Sequence, residues 1–343
     1  MQIEDLPSLT RWQSLRFAWN PDRFMSDGRA LGPIWRAKIG GAPIVVLSDQ
    51  DLGTWLLGQR TGTRFFNDGP LRAWLGDAML FQDGAEHGAS RAIAEAMLEK
   101  MTKKAGDLAQ RVSWCVCRAA RQRLDVGAEL LAGLVAWGCD VIAPGRSTAA
   151  SAATMRWLRA ADTLGLFVPE LRDLPGARWR DMAPAVAEMD DVFGYLGPRE
   201  SLVARLMLAG LADNPTMLAL EVLARANGRR NPGVVVDDAL ACRPPVTLIL
   251  RELTEEKLVA IPGSGVLYLP AGTGIAADTV AVRRPFGFGA HGCIGAALGR
   301  LVATTAIQGW PWGEFEPVPG PRGRRRLAIG YKSMSSRPCR GRY

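Results

Sequence analysis

Cys293 is the residue best placed for chemistry. It lies in Phe286-Gly287-Phe288-Gly289-Ala290-His291-Gly292-Cys293-Ile294-Gly295, just ahead of an Ala- and Leu-rich helical run from Ala296 to Val302. Glycines at this density allow positive φ and close backbone approach, which a loop needs if it presses a sulfur against a flat ligand. At the start of a helix, backbone N–H groups and the positive dipole end are expected to favour a thiolate and its coordination to metal. The pattern suits a ligand sulfur rather than a nucleophile. The sequence has two histidines, and one of them, His291, is in this loop. The other, His87, precedes Arg91 by four residues. That spacing sets both on one helix face, where they can donate hydrogen bonds to carboxylates.

The segment 286–295 resembles the haem-binding loop of the cytochromes P450, F-G-x-G-x-H-x-C-x-G, with Phe286, Gly287, Gly289, His291, Cys293 and Gly295 on its specified positions. His87 and Arg91 are similar to that family's H-x-x-x-R signature, and Arg251, in a β-prone run after Pro244-Pro245-Val246, resembles its third propionate-binding position. The stretch from Trp35 to Leu47 resembles its first sheet, so the likeness runs from about Gly32 to the C-terminus. The resemblance implies haem b (iron protoporphyrin IX), with the metal on Cys293 and the propionates on His87, Arg91, Arg251 and His291. A thiolate ligand donates electron density and favours O–O cleavage. The implied activity is that of a monooxygenase or peroxide-using oxidase acting on a small or medium apolar molecule of secondary metabolism, with a ferredoxin-type electron donor. A second reading stays open: a degenerate P450-like protein that serves as an allosteric partner of another enzyme and binds haem structurally or not at all. Retention of Cys293 favours catalysis.

Three departures from the family stand out. Its acid–alcohol pair, A-G-x-[D/E]-T, helps deliver protons during oxygen activation, whereas this chain reads Ala209-Gly210-Leu211-Ala212-Asp213-Asn214-Pro215-Thr216. Aligned on Ala209-Gly210, the acid becomes Ala212 and the alcohol Asp213; shifted by one, Asp213 and Asn214 form an acid–amide pair beside a kinking Pro215. A purely structural helix break is the third reading. The E-x-x-R motif is also altered: Asp238 stands at the acid, Ala241 at the arginine, and Arg243 is off the spacing. Asp238 is therefore expected to be solvated or paired elsewhere, because a lone buried charge is costly. The segments before Asp237 and between Gly272 and Phe286 are short, which thins the face where a donor would dock.

The elements that must position these residues are mostly helical. Gly40-Gly41 separates two β-prone runs, Trp35 to Ile39 and Pro43 to Leu47, and Asp49 caps a helix to Gln59. Helical patterns span Ala85 to Arg123, Leu130 to Ile142, Ser147 to Gly165, and Arg199 to Ala226 with an interruption at Asp213-Asn214-Pro215. A β-prone run follows from Val246 to Leu250. The expected fold class is mainly α with small β-sheets, a trimmed P450-like haem-thiolate domain over residues 1–343. A chain of 343 residues with 48% apolar and 22% charged residues is globular rather than disordered. No run of about 18 apolar residues suggests a membrane span, and the N-terminus lacks a signal-peptide core, so a cytoplasmic protein is expected. Of six cysteines without a CxxC pair, most read as reduced residues of a cytosolic protein, with Cys293 the exception. The net charge of +8 comes from scattered residues. No aromatic and basic platform suggests nucleic acid. Arg322, Arg324, Arg325 and Arg326 read as a solvated basic loop, or alternatively as a docking surface for an acidic partner.

Overall fold

The computed structural model describes residues 1–39, 42–58, 61–62, 70–161, 178–226, 231–261, 263, 265–325, 328–331 and 333–339. Helices α1 (Arg11–Trp19) and α2 (Pro21–Arg29) lead into strands β1 (Ile34–Ile39) and β2 (Ala42–Leu47), which pair antiparallel with Ile39 opposite Ala42. That register is the expected hairpin; Gly40 and Gly41 themselves lie outside the described residues. Helix α3 (Gln50–Gly58) follows, capped as expected by Asp49, whose Oδ1 accepts from the Asp51 and Leu52 N–H groups at 2.9 and 3.0 Å. Strand β3 (Thr61–Gly62) and helix α4 (Pro70–Leu75) complete this region.

The helical pattern from Ala85 to Arg123 is two helices, α5 (Gly84–Lys103) and α6 (Ala105–Gln122), separated at Lys104 with φ −107° and ψ 22°. The charges explain the break: Lys100 and Lys103 sit at the carbonyl end of α5, and Asp107 at the N–H end of α6. Helix α7 (Val126–Ile142) is capped by Asp125, and α8 (Ser147–Ala160) ends short of the expected Gly165, which is outside the described residues. Helix α9 (Met182–Phe193) precedes the central α10 (Pro198–Arg225).

The expected interruption of α10 is absent, and Pro215 lies inside a continuous helix. A proline in a helix interior costs about 3 kcal/mol. Here every residue from Pro215 to Leu223 is buried, so packing on all sides offsets that cost. This helix is also the one that is long and apolar enough to cross a membrane among the described residues, and 78% of that stretch is buried inside the fold. It is the core around which α5, α7 and α12 (Ala296–Gly309) pack.

Helix α11 (Pro232–Cys242) leads to β4 (Leu248–Leu253), a hairpin of β5 (Lys257–Ile261) and β6 (Gly265–Leu269), and β7 (Gly274–Asp278). The main sheet has the order β1-β2-β7-β4-β3, with β2 and β7 parallel and the other neighbours antiparallel. Fully buried Asp278 anchors it: Arg29 of α2 donates two hydrogen bonds to its carboxylate at 2.7 and 2.8 Å, and Ser48 a third at 3.3 Å. All six cysteines are free, Cys293 among them.

The chain ends in β8 (Phe315–Pro319), β9 (Arg322–Arg325), β10 (Ala328–Tyr331) and β11 (Met334–Pro338), paired as β8/β11 and β9/β10. This corrects the basic-loop reading at Arg322. Its side chain is only 16% exposed and forms ion pairs with Glu221 of α10 and with Asp22 of α2, at 2.6 Å to Asp22. A guanidinium held between two carboxylates belongs to the interior, not to a solvated patch. Arg326 and the side chains of Arg324 and Arg325 lie outside the described residues.

Candidate functional site

A cavity of about 430 Å³ opens between α5, α10, β4 and the 286–295 loop. That is within the usual range for small-molecule and cofactor sites. Its walls are largely apolar, with Leu71, Trp74, Phe81, Leu98 and Met101 on one side and Leu206 and Met207 of α10 on another. Cys293 lines it and is accessible through it.

The loop's shape follows from its glycines. Gly287 and Gly289 both have φ +71°, a region that L side chains rarely adopt, and a Cβ on Gly289 would sit 3.3 Å from the Leu57 carbonyl oxygen. The loop closes on itself through the Cys293 N–H, which donates to the Phe286 carbonyl at 2.8 Å, and turns through Gly292 N–H to Gly289 O at 3.0 Å. Arg91 ties it to α5: Nη1 donates to the Ala290 and Gly292 carbonyls at 2.7 and 2.9 Å, and Nε pairs with Glu95 at 2.9 Å. Phe286 is covered by the Arg300 guanidinium, 5.6 Å from the ring centroid, and Arg300 also pairs with Asp237. Gly295 is the N-cap of α12.

Cys293 differs from expectation in its acidity. Burial pushes its thiol up, and the Gly295 N–H and the Arg91 charge offset this only in part. The physical reason is position: α12 begins at Ala296, so the sulfur stands ahead of the helix rather than on its first turn. The surroundings therefore favour the thiol over the thiolate.

The rim brings together residues from three places in the chain: α5, β4 and the 286–295 loop. The His87 ring lies 4.1 Å from the His291 ring, centroid to centroid. Burial lowers the affinity of both imidazoles for protons, most at His291, which falls to about 4 with help from Arg251 and His87. Both are therefore neutral N–H donors near pH 7. Arg251 on β4 is 8% exposed, and burial pushes it down to about 10, so it keeps its charge. Its Nη1 donates to the Leu250 carbonyl at 2.9 Å.

Two guanidiniums, two neutral imidazoles and one thiol around an apolar cavity suit a flat apolar ligand with carboxylates at one edge and a metal at its centre. A single sulfur facing the cavity suits a metal that carries its other ligands with it, as a macrocycle does. The donor set fits haem b. Arg251→Ala should lower haem occupancy by about tenfold or more, the effect of losing a charge-assisted hydrogen bond worth roughly 1–3 kcal/mol. Titration of haem into the purified variant, followed by absorbance, measures it.

On α10, Gly210, Asp213 and Asn214 line the cavity and Ala212 does not. Asp213 is 3% exposed, and the Asn214 Oδ1 is buried with no hydrogen-bond partner among the described residues. The Thr216 hydroxyl is taken by the Ala212 carbonyl at 2.6 Å.

The structure shows where the charges around the altered E-x-x-R region go. Asp238 is half-buried and is not without a partner. Arg243 also finds an acid, on another helix: its Nη1 lies 4.0 Å from Glu221. Glu221, 3% exposed at its side chain, further accepts from Arg225 Nε at 2.7 Å and pairs with Arg322. Sequence reasoning missed this hub, although a lone acid inside Leu218-Ala219-Leu220-Glu221-Val222-Leu223 was a signal for a buried, paired carboxylate.

No protein-family model and no curated protein matches the chain. Solved structures do. P450BioI, in complex with an acyl carrier protein ligated to hexadec-9Z-enoic acid, superposes with a TM-score of 0.75 at 14% identity, covering 95% of this chain and all of that one. P450 RauA, complexed with a biosynthetic intermediate of aurachin RE, gives 0.71 at 16% identity over 95% of this chain and 98% of that one. The Bacillus subtilis bacillaene polyketide synthase cytochrome P450 PksS gives 0.70 at 15% identity, over 94% and 97%. With a mainly helical layout shared over nearly the full length of each, the chain has the cytochrome P450 fold.

Proposed function

We propose that this protein is a haem-thiolate oxidoreductase acting on a small or medium apolar molecule. The observation that carries this reading is the Cys293 thiol on a glycine-shaped loop, facing an apolar cavity whose rim presents Arg251, His87 and His291. Cys293 would hold the iron of haem b; Arg251, the two histidines and Arg91 would hold its propionates. Bound there, the haem-thiolate supplies an electron-rich iron that favours O–O cleavage.

The remaining work belongs to the chain. The walls from Trp74, Phe81 and Met101 to Leu206 exclude water and accept an apolar substrate. Asp213 and Asn214 face the same space from α10 and form the proton-handling pair: Asp213 offers a carboxyl for proton transfer, and Asn214 an amide beside it. Pro215 offers no N–H to the Leu211 carbonyl, which leaves a backbone acceptor on the cavity wall. The exposed Phe288, with the Arg284 guanidinium 5.4 Å from its ring, gives the Cys293 loop an aromatic and cationic outer surface suited to an acidic, ferredoxin-type electron donor. P450BioI and RauA, with a carrier-bound fatty acid and a biosynthetic intermediate, favour a substrate from secondary metabolism.

An absorption spectrum of the purified protein, oxidised and then reduced under carbon monoxide, tests the assignment. A thiolate-type band is expected, and a protein that takes up no haem overturns it. Asp213→Ala should slow turnover driven by reductant and dioxygen by about 100-fold, the scale of a lost general acid. Peroxide-driven turnover should fall less, because peroxide brings its own protons. Equal rates for variant and parent with dioxygen would leave Asp213 a packing residue.

A further inference from the structure

Asp83 stands at the N-cap of α5, where a carboxylate ordinarily accepts hydrogen bonds from its own helix. It makes no such cap. Its Oδ1 lies instead 3.5 Å from His291 Nε2, and its charge acts on Arg251 and His87 as well. Asp83 therefore contacts His291, whose ring lies 4.1 Å from that of His87, and so stands at the rim assigned to the propionates. The side chain is 37% exposed, so it can turn away toward water.

Arg251 explains why a resident acid is useful. It is nearly fully buried, and its hydrogen bond to the Leu250 carbonyl does not neutralise its charge. A buried cation without an opposite charge is costly. Asp83 is the acid whose charge reaches Arg251. When a propionate arrives at the same cations, Asp83 becomes a like charge beside it, and the two carboxylates compete.

We propose that Asp83 is a resident counter-carboxylate, which holds the propionate rim together in the haem-free chain and limits how tightly the chain keeps haem. The inference rests on the haem reading above. Its consequence is a site that releases and reloads its cofactor more readily than its arginines alone would allow.

The test compares the parent with Asp83→Asn and Asp83→Ser, both loaded with haem b, by the rate of haem transfer to an excess of haem-free globin. Asparagine keeps the size of the side chain, and serine keeps a capping oxygen. Both remove the charge. Haem loss should slow by about fivefold or more in both variants, the effect of removing a like charge several ångströms away in a partly buried site. The thermal midpoint of the haem-free variants should fall by about 2 °C or more, because Arg251 loses its counter-charge. Haem loss at the parent's rate or faster in both variants overturns the proposal, as does a haem-free midpoint that rises in both. A parent that shows no haem absorbance at all fails at the earlier step and overturns the haem reading itself.

Discussion

Cys293→Ser is expected to remove the thiolate-specific band of the reduced, carbon monoxide-treated protein and to weaken haem binding by about 100-fold or more. Even substitutions in the outer shell of a metal site cost about 10–100-fold, and here the ligand itself is lost. Serine keeps the size of the side chain, and the loop has no reason to rearrange: its closure depends on the Cys293 N–H, the Arg91 contacts to Ala290 and Gly292, and the positive φ of Gly287 and Gly289. What disappears is the sulfur. Cys242→Ser is the matched control, since Cys242 is exposed at the end of α11 and does not line the cavity. It should leave the band intact. An unchanged spectrum for Cys293→Ser would remove the central argument for haem-thiolate chemistry.

Glu221→Ala should destabilise the fold by about 3–5 kcal/mol, the usual effect of removing one partner from a buried ion cluster. Glu221 takes Arg225 and Arg322 directly and has Arg243 at its edge, so its loss leaves three guanidiniums facing one another. The effect reaches far along the chain, because Arg322 also holds Asp22 and so links α10 to β9 and to α2. Glu221→Gln should lose most of the same free energy while keeping the volume, which separates charge from packing. Denaturant unfolding measures both, and a double-mutant cycle with Arg322→Met isolates the coupling. A loss below about 1 kcal/mol for Glu221→Ala would place the cluster among surface pairs of little consequence. The ion cluster of this chain is thus buried on α10, through Glu221.

The loop around Cys293 was legible because its chemistry is local. Positive φ at glycine and the spacing of a cysteine before a helix are properties of a few consecutive residues, and they need no partner from elsewhere. The β1/β2 hairpin and the Asp49 cap were legible for the same reason. The break at Lys104 was missed because apolar periodicity runs through it, and the supposed break at Pro215 was wrong because burial of the whole following turn outweighs a local preference.

By itself, then, the sequence determined the mainly helical class, the short hairpin, and a cysteine loop with His87, Arg91, Arg251 and His291 as its companions. Tertiary structure alone decided what each charge faces. Arg91 holds loop carbonyls, Asp83 turns from its own helix toward His291, and Arg322 leaves the expected surface for Glu221, 101 residues away. The reason is physical. Backbone shape and periodicity are set by neighbours within a turn or two, whereas a buried charge is stable only beside an opposite one, and the packed chain alone determines which partner comes within reach.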